Sequence, residues 1–195
     1  MKEMIVASNN SGKINEIKEI WGDRFIVRGM KEAGIHLEIE ETGQTFEENA
    51  RIKAKAIHDI RGGYVLADDS GLCIDALNGA PGIYSARFFG EEATYPQRFA
   101  AIFEILKDIP ETKRTAYFMS TLIMIRPDGK ELFAEGRADG LLVFPPRGEN
   151  GFGYDPIFYL PEKNRTAAEL KPEEKNEISH RGRALRKMLA KMIDS

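Results

Sequence analysis

The sequence predicts an α/β fold, in which β-strands and amphipathic helices pack on each other. The first observation is that the apolar run over 4–7 is followed by apolar residues at helical spacing over 14–21. The second is that two β-rich segments, 115–125 and 131–138, are joined by Pro127-Asp128-Gly129, which has the composition of a hairpin turn. We therefore expect a β-sheet with helices packed on it.

The other elements are predicted in order along the chain. Thr45 opens a second helix, with Glu48 three residues later as a capping box, and Gly62-Gly63 closes it. Helical spacing of apolar residues predicts a third helix over 96–106 and a last helix whose N-cap is Ser179. The remaining strands are predicted over 24–27, 64–66 and 72–74.

Composition excludes several classes of protein. The 195 residues are enough to bury a core without disulfides, and the single Cys73 lies in an apolar run and is interpreted as a small buried hydrophobe. With 28 basic and 31 acidic side chains, the formal net charge of −3 argues against a surface that binds long nucleic acid. No apolar stretch approaches the roughly 20 residues of a membrane span. We therefore expect a soluble, cytoplasmic protein without nucleic-acid or membrane partners.

A polar loop follows the first strand and leads into the first helix. It consists of Ser8, Asn9, Asn10, Ser11, Gly12 and Lys13. A loop at a helix N-terminus presents free N–H groups and the positive end of the helix dipole, which is where phosphates bind. Lys13 adds a positive charge there. Serine and asparagine are also ordinary helix caps, so a purely structural role is the alternative.

Lys53 lies in the middle of the apolar side of the second predicted helix. A lysine in that position either extends its stem to solvent or is kept for an anionic partner, and exposed positions for other lysines are plentiful on this helix. Asn49, one turn earlier, lies on the edge of the same stripe. The pattern favours an anion-binding role for Lys53.

Two adjacent carboxylates, Asp68 and Asp69, follow the apolar run Tyr64-Val65-Leu66 and precede Ser70-Gly71. Carboxylates beside a hydrophobic core are unfavourable unless N–H groups, cations or a metal ion satisfy them. Mg²⁺ is typically held by one or two carboxylates plus substrate phosphates, which suits the pair. The alternative is an Asx-type turn in which both side chains cap their own backbone.

Two segments in the last quarter of the chain contain candidates for binding a planar ligand. Phe152 and Tyr154 lie among glycines just before Asp155, so the rings could stack on a base while the carboxylate accepts from ring N–H groups. The alternative is that both rings fold inward over the sheet. His180 and Arg181 fall in the first turn of the last helix, where cations oppose the helix dipole, and a role as donors to ligand oxygens would explain them.

Together these motifs resemble those of the inosine triphosphate pyrophosphatase family, the bacterial XTP/dITP diphosphatases. The resemblance spans essentially the whole chain. Its motifs are Ser8-Asn9-Asn10 with Lys13, Glu41-Thr42-Gly43 with Thr45-Phe46 and Glu48-Asn49-Ala50, Asp68-Asp69-Ser70-Gly71-Leu72, Ala80-Pro81-Gly82 with Tyr84-Ser85-Ala86-Arg87, Gly151-Phe152-Gly153-Tyr154-Asp155-Pro156, and Ser179-His180-Arg181. It implies a single domain over 1–195, with an elongated mixed β-sheet flanked by helices, two lobes and a central active-site cleft, and it implies a homodimer.

The resemblance also implies an activity, which is Mg²⁺-dependent hydrolysis of dITP, ITP and XTP to the nucleoside monophosphate and pyrophosphate. Such an enzyme removes deaminated purines from the nucleotide pool. The implied catalytic residues are Asp69, as metal ligand and general base, and Lys53; Asp68 and one of Glu40 or Glu41 support the metal. The implied substrate-binding residues are Ser8, Asn9, Asn10, Ser11, Gly12, Lys13, Ser70, Phe152, Gly153, Tyr154, Asp155, Lys175, His180 and Arg181.

Two other functions would use some of the same residues. A non-catalytic purine nucleotide-binding or sensing protein needs the loop, the lysines and the base pocket, but it has little reason to keep a carboxylate pair that repels a triphosphate without metal. An RNA-binding protein could use Phe152 and Tyr154 for stacking, but the acidic balance of the chain disfavours it.

Overall fold

The computed structural model describes residues 1–193, so the last two residues of the predicted domain, Asp194 and Ser195, lie outside the described part. The strands are β1 Lys2–Val6, β2 Phe25–Gly29, β3 Tyr64–Ile74, β4 Thr115–Ile125, β5 Glu131–Leu142, β6 Phe158–Leu160 and β7 Arg165–Thr166. The helices are α1 Ser11–Trp21, α2 Phe46–Arg61, α3 Tyr95–Leu106, α4 Pro172–Ile178 and α5 His180–Ile193. The predicted α/β class is confirmed.

The strands form one seven-stranded sheet in the order β2-β1-β3-β4-β5-β6-β7. The sheet is mixed, because β1 is parallel to β2 and β3, whereas β6 is antiparallel to β5 and β7. Within the described residues the chain divides into two compact units. The first comprises 1–69, 120–136 and the residues from His180 onward, and the second comprises 70–119 and 137–179. Strands β3, β4 and β5 contribute residues to both units.

The first unit places helices on both faces of its parallel strands. On one face, Met4 and Val6 of β1 and Leu66 of β3 pack with buried residues of α1 and α5. On the other face, Ile5 and Val65 pack with buried residues of α2. The alternation follows from the two-residue period of a strand, in which neighbouring side chains point to opposite faces.

The order β2-β1-β3 creates a switch point in this unit. The chain leaves β1 through α1 on one face to reach β2, and it returns through α2 on the opposite face to reach β3. The loop that follows β1 therefore leads to α1 on one face, and the segment that follows β2 leads to α2 on the opposite face. In open α/β sheets, ligands bind outside the carboxyl ends of the strands at such a switch point.

The second unit has its own core, built from α3 and from residues of β3, β4, β5 and β6. Gly71 is required at a close approach in this unit, since a Cβ there would lie 2.2 Å from the carbonyl oxygen of Gly82 and 2.5 Å from Ser85 Oγ. The same Ser85 hydroxyl accepts from the Leu72 N–H at 2.9 Å. The segment after β3 is thereby packed directly against the strand.

The local structure differs from the sequence expectations in two places. The chain does not turn at Asp68 and Asp69, because β3 continues from Tyr64 to Ile74 as one strand, and the acids are satisfied by cations of other elements instead of by their own backbone. The helix α4, which ends just before Ser179, was not predicted; its seven residues are too few for a clear apolar stripe. None of the described helices combines the length and apolar character needed to cross a membrane.

Candidate active site

The two adjacent acids of β3 point to opposite faces of the sheet. Asp68 faces α1 and α5, where Arg181 donates to its carboxylate, and Ser120 Oγ of β4 donates to Oδ1 at 3.2 Å. Asp69 faces α2, where Lys53 Nζ donates to Oδ1 at 3.1 Å. The period of a strand requires this separation, since consecutive side chains cannot share a face. The two carboxylates therefore have different partners.

Asp68 belongs to a buried charge cluster. Arg181, which is 1% exposed, donates through Nε to Asp68 and through a terminal nitrogen to Glu16. Burial would raise the pKa of Asp68, but the charges of Arg181 and Lys13 outweigh it and hold the pKa far below its ordinary value. Burial likewise opposes the charge on Arg181, and the two carboxylates outweigh it and raise its pKa. Asp68 and Arg181 are thus held as an ion pair.

Lys53 connects the other acid to the loop before α2. Its Nζ lies 3.1 Å from Asp69 Oδ1 and 2.9 Å from Glu41 Oε1. Burial would lower the pKa of Lys53, and the charges of Asp69 and Glu41 reverse that effect and raise it. Of the two glutamates proposed for the metal site, Glu41 therefore lies beside Lys53, whereas Glu40 is exposed.

Two lysines from opposite faces of the sheet converge on one backbone carbonyl. Lys13 Nζ of α1 and Lys53 Nζ of α2 each donate to the carbonyl oxygen of Asp68 at 3.2 Å. The oxygen is accessible to them because β1 ends at Val6 and its last contact with β3 is the bond from Ala7 N–H to Leu66 O. Burial lowers the pKa of Lys13, and the nearby charges of Lys53 and Arg181 add to this against the attraction of Asp68. Two ammonium groups this close together form a strong site for a polyanion.

The carboxylates near Lys53 suit a divalent cation whose coordination shell is completed by the substrate. Asp69 Oδ2 is buried and has no hydrogen-bond partner among the described residues, and Glu41 lies on the same lysine. No group of three or more His, Cys, Asp or Glu side chains within residues 1–193 is arranged to hold a metal ion. Because Mg²⁺ commonly takes one or two carboxylates, several waters and substrate phosphates, Asp69 and Glu41 suit it without further protein ligands.

The polar loop before α1 has the predicted geometry of a helix N-terminus. Asn10 is the N-cap and accepts from Lys13 N–H at 3.0 Å, and Ser8 Oγ accepts from Asn10 N–H at 3.1 Å. Asn9 Oδ1 accepts from Lys31 N–H at 3.2 Å. Ser11 and Gly12 form the start of the helix itself. Asn10 therefore does cap the helix. This hydrogen bond fixes the loop that leads into α1, the helix that carries Lys13.

The second unit contains a buried ion pair beside an aromatic ring. Lys175 Nζ lies 2.5 Å from Asp155 Oδ2 and 4.9 Å from the centre of the Phe152 ring. Asp155 Oδ2 also accepts from Phe152 N–H at 2.9 Å. Gly151 and Gly153 both have positive φ, 73° and 66°, and a Cβ on Gly151 would lie 2.1 Å from Asp155 Oδ2. The glycines therefore let the loop wrap around this carboxylate.

Phe152 and Tyr154, which the sequence could not distinguish, have different environments. Tyr154 is buried in the core of the second unit, where its ring meets Tyr95 edge-on and its hydroxyl donates to the Ser85 carbonyl at 2.8 Å. Phe152 is only half-buried. The inward-folding alternative is therefore correct for Tyr154 and not for Phe152. Ser70, also half-buried, is the first residue of β3 in this unit.

His180 and Arg181 begin α5, as predicted, and both are buried. A Cβ on Gly136 of β5 would lie 2.1 Å from the His180 carbonyl oxygen, so a glycine lets the strand meet the start of this helix. Two residues that contact this site, Glu16 and Ser120, were not predicted from the sequence. Glu16 had a detectable signal, because Lys13, Glu16 and Ile17 have i, i+3, i+4 spacing and hence share one helix face, whereas Ser120 had none.

Comparison with known proteins gives one consistent result. The family model described as Ham1 family matches residues 4–191. The chain is 48% identical over 195 residues to a dITP/XTP pyrophosphatase of Halalkalibacterium halodurans, with 100% of each chain covered. It is 46% identical over 196 residues to the dITP/XTP pyrophosphatase of Bacillus subtilis, with 100% of this chain and 98% of the relative covered.

Two solved structures have the same fold. The Ham1 protein of Staphylococcus aureus superimposes with a TM-score of 0.86 at 42% identity, covering 99% of each chain. A HAM1 protein from Coxiella burnetii superimposes with a TM-score of 0.87 at 42% identity, covering 100% of each chain. The resemblance inferred from the motifs is confirmed, and the chain belongs to the Ham1 family.

Proposed function

We propose that the protein hydrolyses the deaminated purine nucleoside triphosphates dITP, ITP and XTP to the nucleoside monophosphate and pyrophosphate. The observation that carries the proposal is the pair of lysines, Lys13 and Lys53, donating to one carbonyl beside the buried, unpartnered Oδ2 of Asp69. The names of the relatives, dITP/XTP pyrophosphatases at 45–48% identity over nearly the whole chain, support the same reaction.

The triphosphate is assigned to the first unit. Lys13 and Lys53 bind its oxygens, together with the N–H groups and hydroxyls of the loop Ser8, Asn9, Asn10, Ser11 and Gly12. Asp69 and Glu41 would hold Mg²⁺, which would supply neutralisation of the phosphate charge. Asp68 is not assigned as a direct metal ligand in this proposal, because Arg181, Ser120 and Lys13 already surround its carboxylate. It holds Arg181 and Lys13 in place.

Asp69 is proposed as the general base. Lys53 donates to its Oδ1, and Oδ2 has two lone pairs, so this oxygen can face the cation and also accept from a water molecule. Burial raises the pKa of Asp69, and Lys53 and Lys13 oppose that rise without cancelling it. A more basic carboxylate is a better proton acceptor. Asp69 takes a proton from water as the oxygen attacks phosphorus, and the bond between the α and β phosphates breaks with pyrophosphate as the leaving group.

The purine is assigned to the second unit, to Phe152, Gly153, Asp155 and Lys175, with Ser70 as a further donor. Phe152 stacks on the ring, and Asp155 accepts from a ring N–H. Hypoxanthine and xanthine carry a carbonyl at C6 and a proton on N1, whereas adenine carries an amino group at C6 and no N1 proton. A buried donor at the C6 position therefore faces another donor when adenine is present. Sites built on buried hydrogen bonds reject such mismatches strongly.

Steady-state kinetics with Mg²⁺ test the proposal. We expect kcat/KM for dITP, ITP and XTP to exceed that for dATP by about 10²-fold or more, because the mismatched base leaves buried polar groups unpaired. Tight binding of dITP without release of pyrophosphate would support the non-catalytic nucleotide-binding alternative instead. Equal rates for dITP and dATP would contradict the assigned base pocket.

A homodimer is proposed from the family resemblance alone. Sedimentation equilibrium at micromolar concentration tests it, and a mass near 21.9 kDa would show a monomer.

A further inference from the structure

Asn49 is a buried amide on the apolar side of α2. Its side chain is fully buried, at 0% exposure, next to Ala50 and one turn before Lys53. The neighbouring positions on this face, Ala54 and Ile57, belong to an apolar cluster. An apolar side chain would therefore suit the packing at position 49, and the presence of an amide needs an explanation.

The hydrogen bonding of Asn49 defines the orientation of its amide and leaves one polar atom without a partner among the described residues. Oδ1 accepts from the Gly43 N–H at 2.8 Å, which identifies the amide oxygen because only it can accept from that group. Nδ2 is then left buried with no hydrogen-bond partner among the described residues. A buried, unsatisfied donor destabilises a fold. The amide therefore serves the contact to Gly43 at the expense of stability.

The contact to Gly43 fixes the segment that carries Glu41. Gly43 approaches so closely that a Cβ on it would lie 2.7 Å from Asn49 Oδ1 and 2.7 Å from Glu48 Cβ. Two residues earlier, Glu41 pairs with Lys53 at 2.9 Å. Asn49 and Lys53 are one turn apart on α2. The backbone at Gly43 and the side chain of Glu41 are therefore both anchored to the same helix.

We propose that Asn49 is a positioning residue, which holds the 41–43 segment so that the Glu41 carboxylate faces the cation and triphosphate assigned to Lys53 and Asp69. The inference rests on the proposed function, since it concerns the same site. Residues that orient a metal-binding carboxylate from outside typically change metal affinity or activity by about 10–100-fold when they are removed.

The test uses the full chain carrying Asn49→Leu. We expect the Mg²⁺ concentration for half-maximal hydrolysis of dITP to rise about 10-fold or more. Hydrogen exchange at the Gly43 amide, measured without Mg²⁺ or nucleotide, accelerates because its acceptor is gone. The thermal midpoint stays unchanged or rises, because the unsatisfied donor is removed. A residue with a purely structural role would instead lower the midpoint and leave the Mg²⁺ dependence unchanged.

Ile57→Val, two turns further along the same apolar face, is the matched control. It removes one methylene from the same cluster, so we expect it to lower the thermal midpoint while the Mg²⁺ dependence and the Gly43 exchange rate stay as in the wild type.

Glu41→Gln and the double variant with Asn49→Leu separate the inference from the function on which it rests. If Asn49 acts through Glu41, the double variant is no more impaired in Mg²⁺ dependence than Glu41→Gln alone. Additive effects, or a normal Mg²⁺ dependence in Asn49→Leu beside a weakened one in Glu41→Gln, would overturn the inference alone. A normal Mg²⁺ dependence in Glu41→Gln would refute the assigned role of Glu41, and the inference would fall with it.

Discussion

Replacing Asp69 with asparagine is expected to lower kcat for dITP by about 10²–10⁴-fold, the range that a positioned general base contributes. Asparagine preserves the shape of the side chain and can still accept the hydrogen bond from Lys53, which now meets Oδ1 at 3.1 Å. Its amide cannot take a proton from the attacking water. KM should change far less than kcat, because the lysines that bind the triphosphate remain.

Asp59→Asn is the control for this substitution. Asp59 is exposed on α2, so the same chemical change there should leave kcat within about a factor of two, as surface substitutions usually do. Initial rates of pyrophosphate release at saturating dITP and Mg²⁺ provide the comparison. If Asp69→Asn keeps a rate similar to that of Asp59→Asn, Asp69 is not the base.

The second large effect is on stability. In Arg181→Met, the buried carboxylates of Asp68 and Glu16 lose the cation that both contact, and Lys13, 3.9 Å from Asp68, compensates only in part. Removing one partner of a buried ion pair typically destabilises a protein by about 3–5 kcal/mol. Urea unfolding at pH 7 should show a loss in this range.

The loss should depend on pH in a defined direction. In the wild type the pKa of Asp68 is depressed, so the stability that its ionised form contributes is present at neutral pH and declines as the pH falls below its ordinary value near 4. In Arg181→Met, burial is no longer outweighed and the pKa rises, so the side chain becomes neutral at a higher pH. The difference between the two proteins should therefore shrink from pH 7 to pH 4.

A triple variant checks the cause of that loss. Adding Asp68→Asn and Glu16→Gln to Arg181→Met removes the uncompensated charges and should recover much of the lost stability at pH 7. A difference that stays constant with pH, or a triple variant no more stable than Arg181→Met, would show that the loss came from packing rather than charge.

Local patterns in the sequence predicted most of the elements. Thr45 is the N-cap of α2, and its hydroxyl accepts from Glu48 N–H at 3.1 Å, as the capping signal required. The turn at Pro127-Asp128-Gly129 joins β4 and β5. Both signals depend on residues a few positions apart, so they can be recognised without knowledge of the tertiary structure.

The continuation of β3 through Asp68 and Asp69, between the predicted strands 64–66 and 72–74, has a tertiary origin. Polar residues followed by Ser70-Gly71 are typical of a turn, and only cations from distant parts of the chain allow the strand to continue. Arg181 is 113 residues away from Asp68, and Lys53 is 16 residues away from Asp69. No local rule contains that information. For the same reason the sequence could not show that the two acids lie on separate faces with separate partners.

The sequence predicted which residues belong to the candidate site better than it predicted which residues they contact. Lys53 was singled out as a charge on an apolar face, and it contacts both Asp69 and Glu41. Arg181 was expected to donate to a ligand, whereas the structure places two of its nitrogens on Asp68 and Glu16. Its position at the start of a helix was visible in the sequence, but its partners depended on packing between α1, β3 and α5.

Analysis of the reaction products distinguishes release of pyrophosphate from stepwise loss of single phosphates. The wild-type protein is incubated with dITP and Mg²⁺, and nucleotides, pyrophosphate and orthophosphate are quantified at several times. We expect one dIMP and one pyrophosphate for each dITP consumed, with no dIDP and no orthophosphate. Formation of dIDP with orthophosphate, or the absence of any hydrolysis, would refute the proposed reaction.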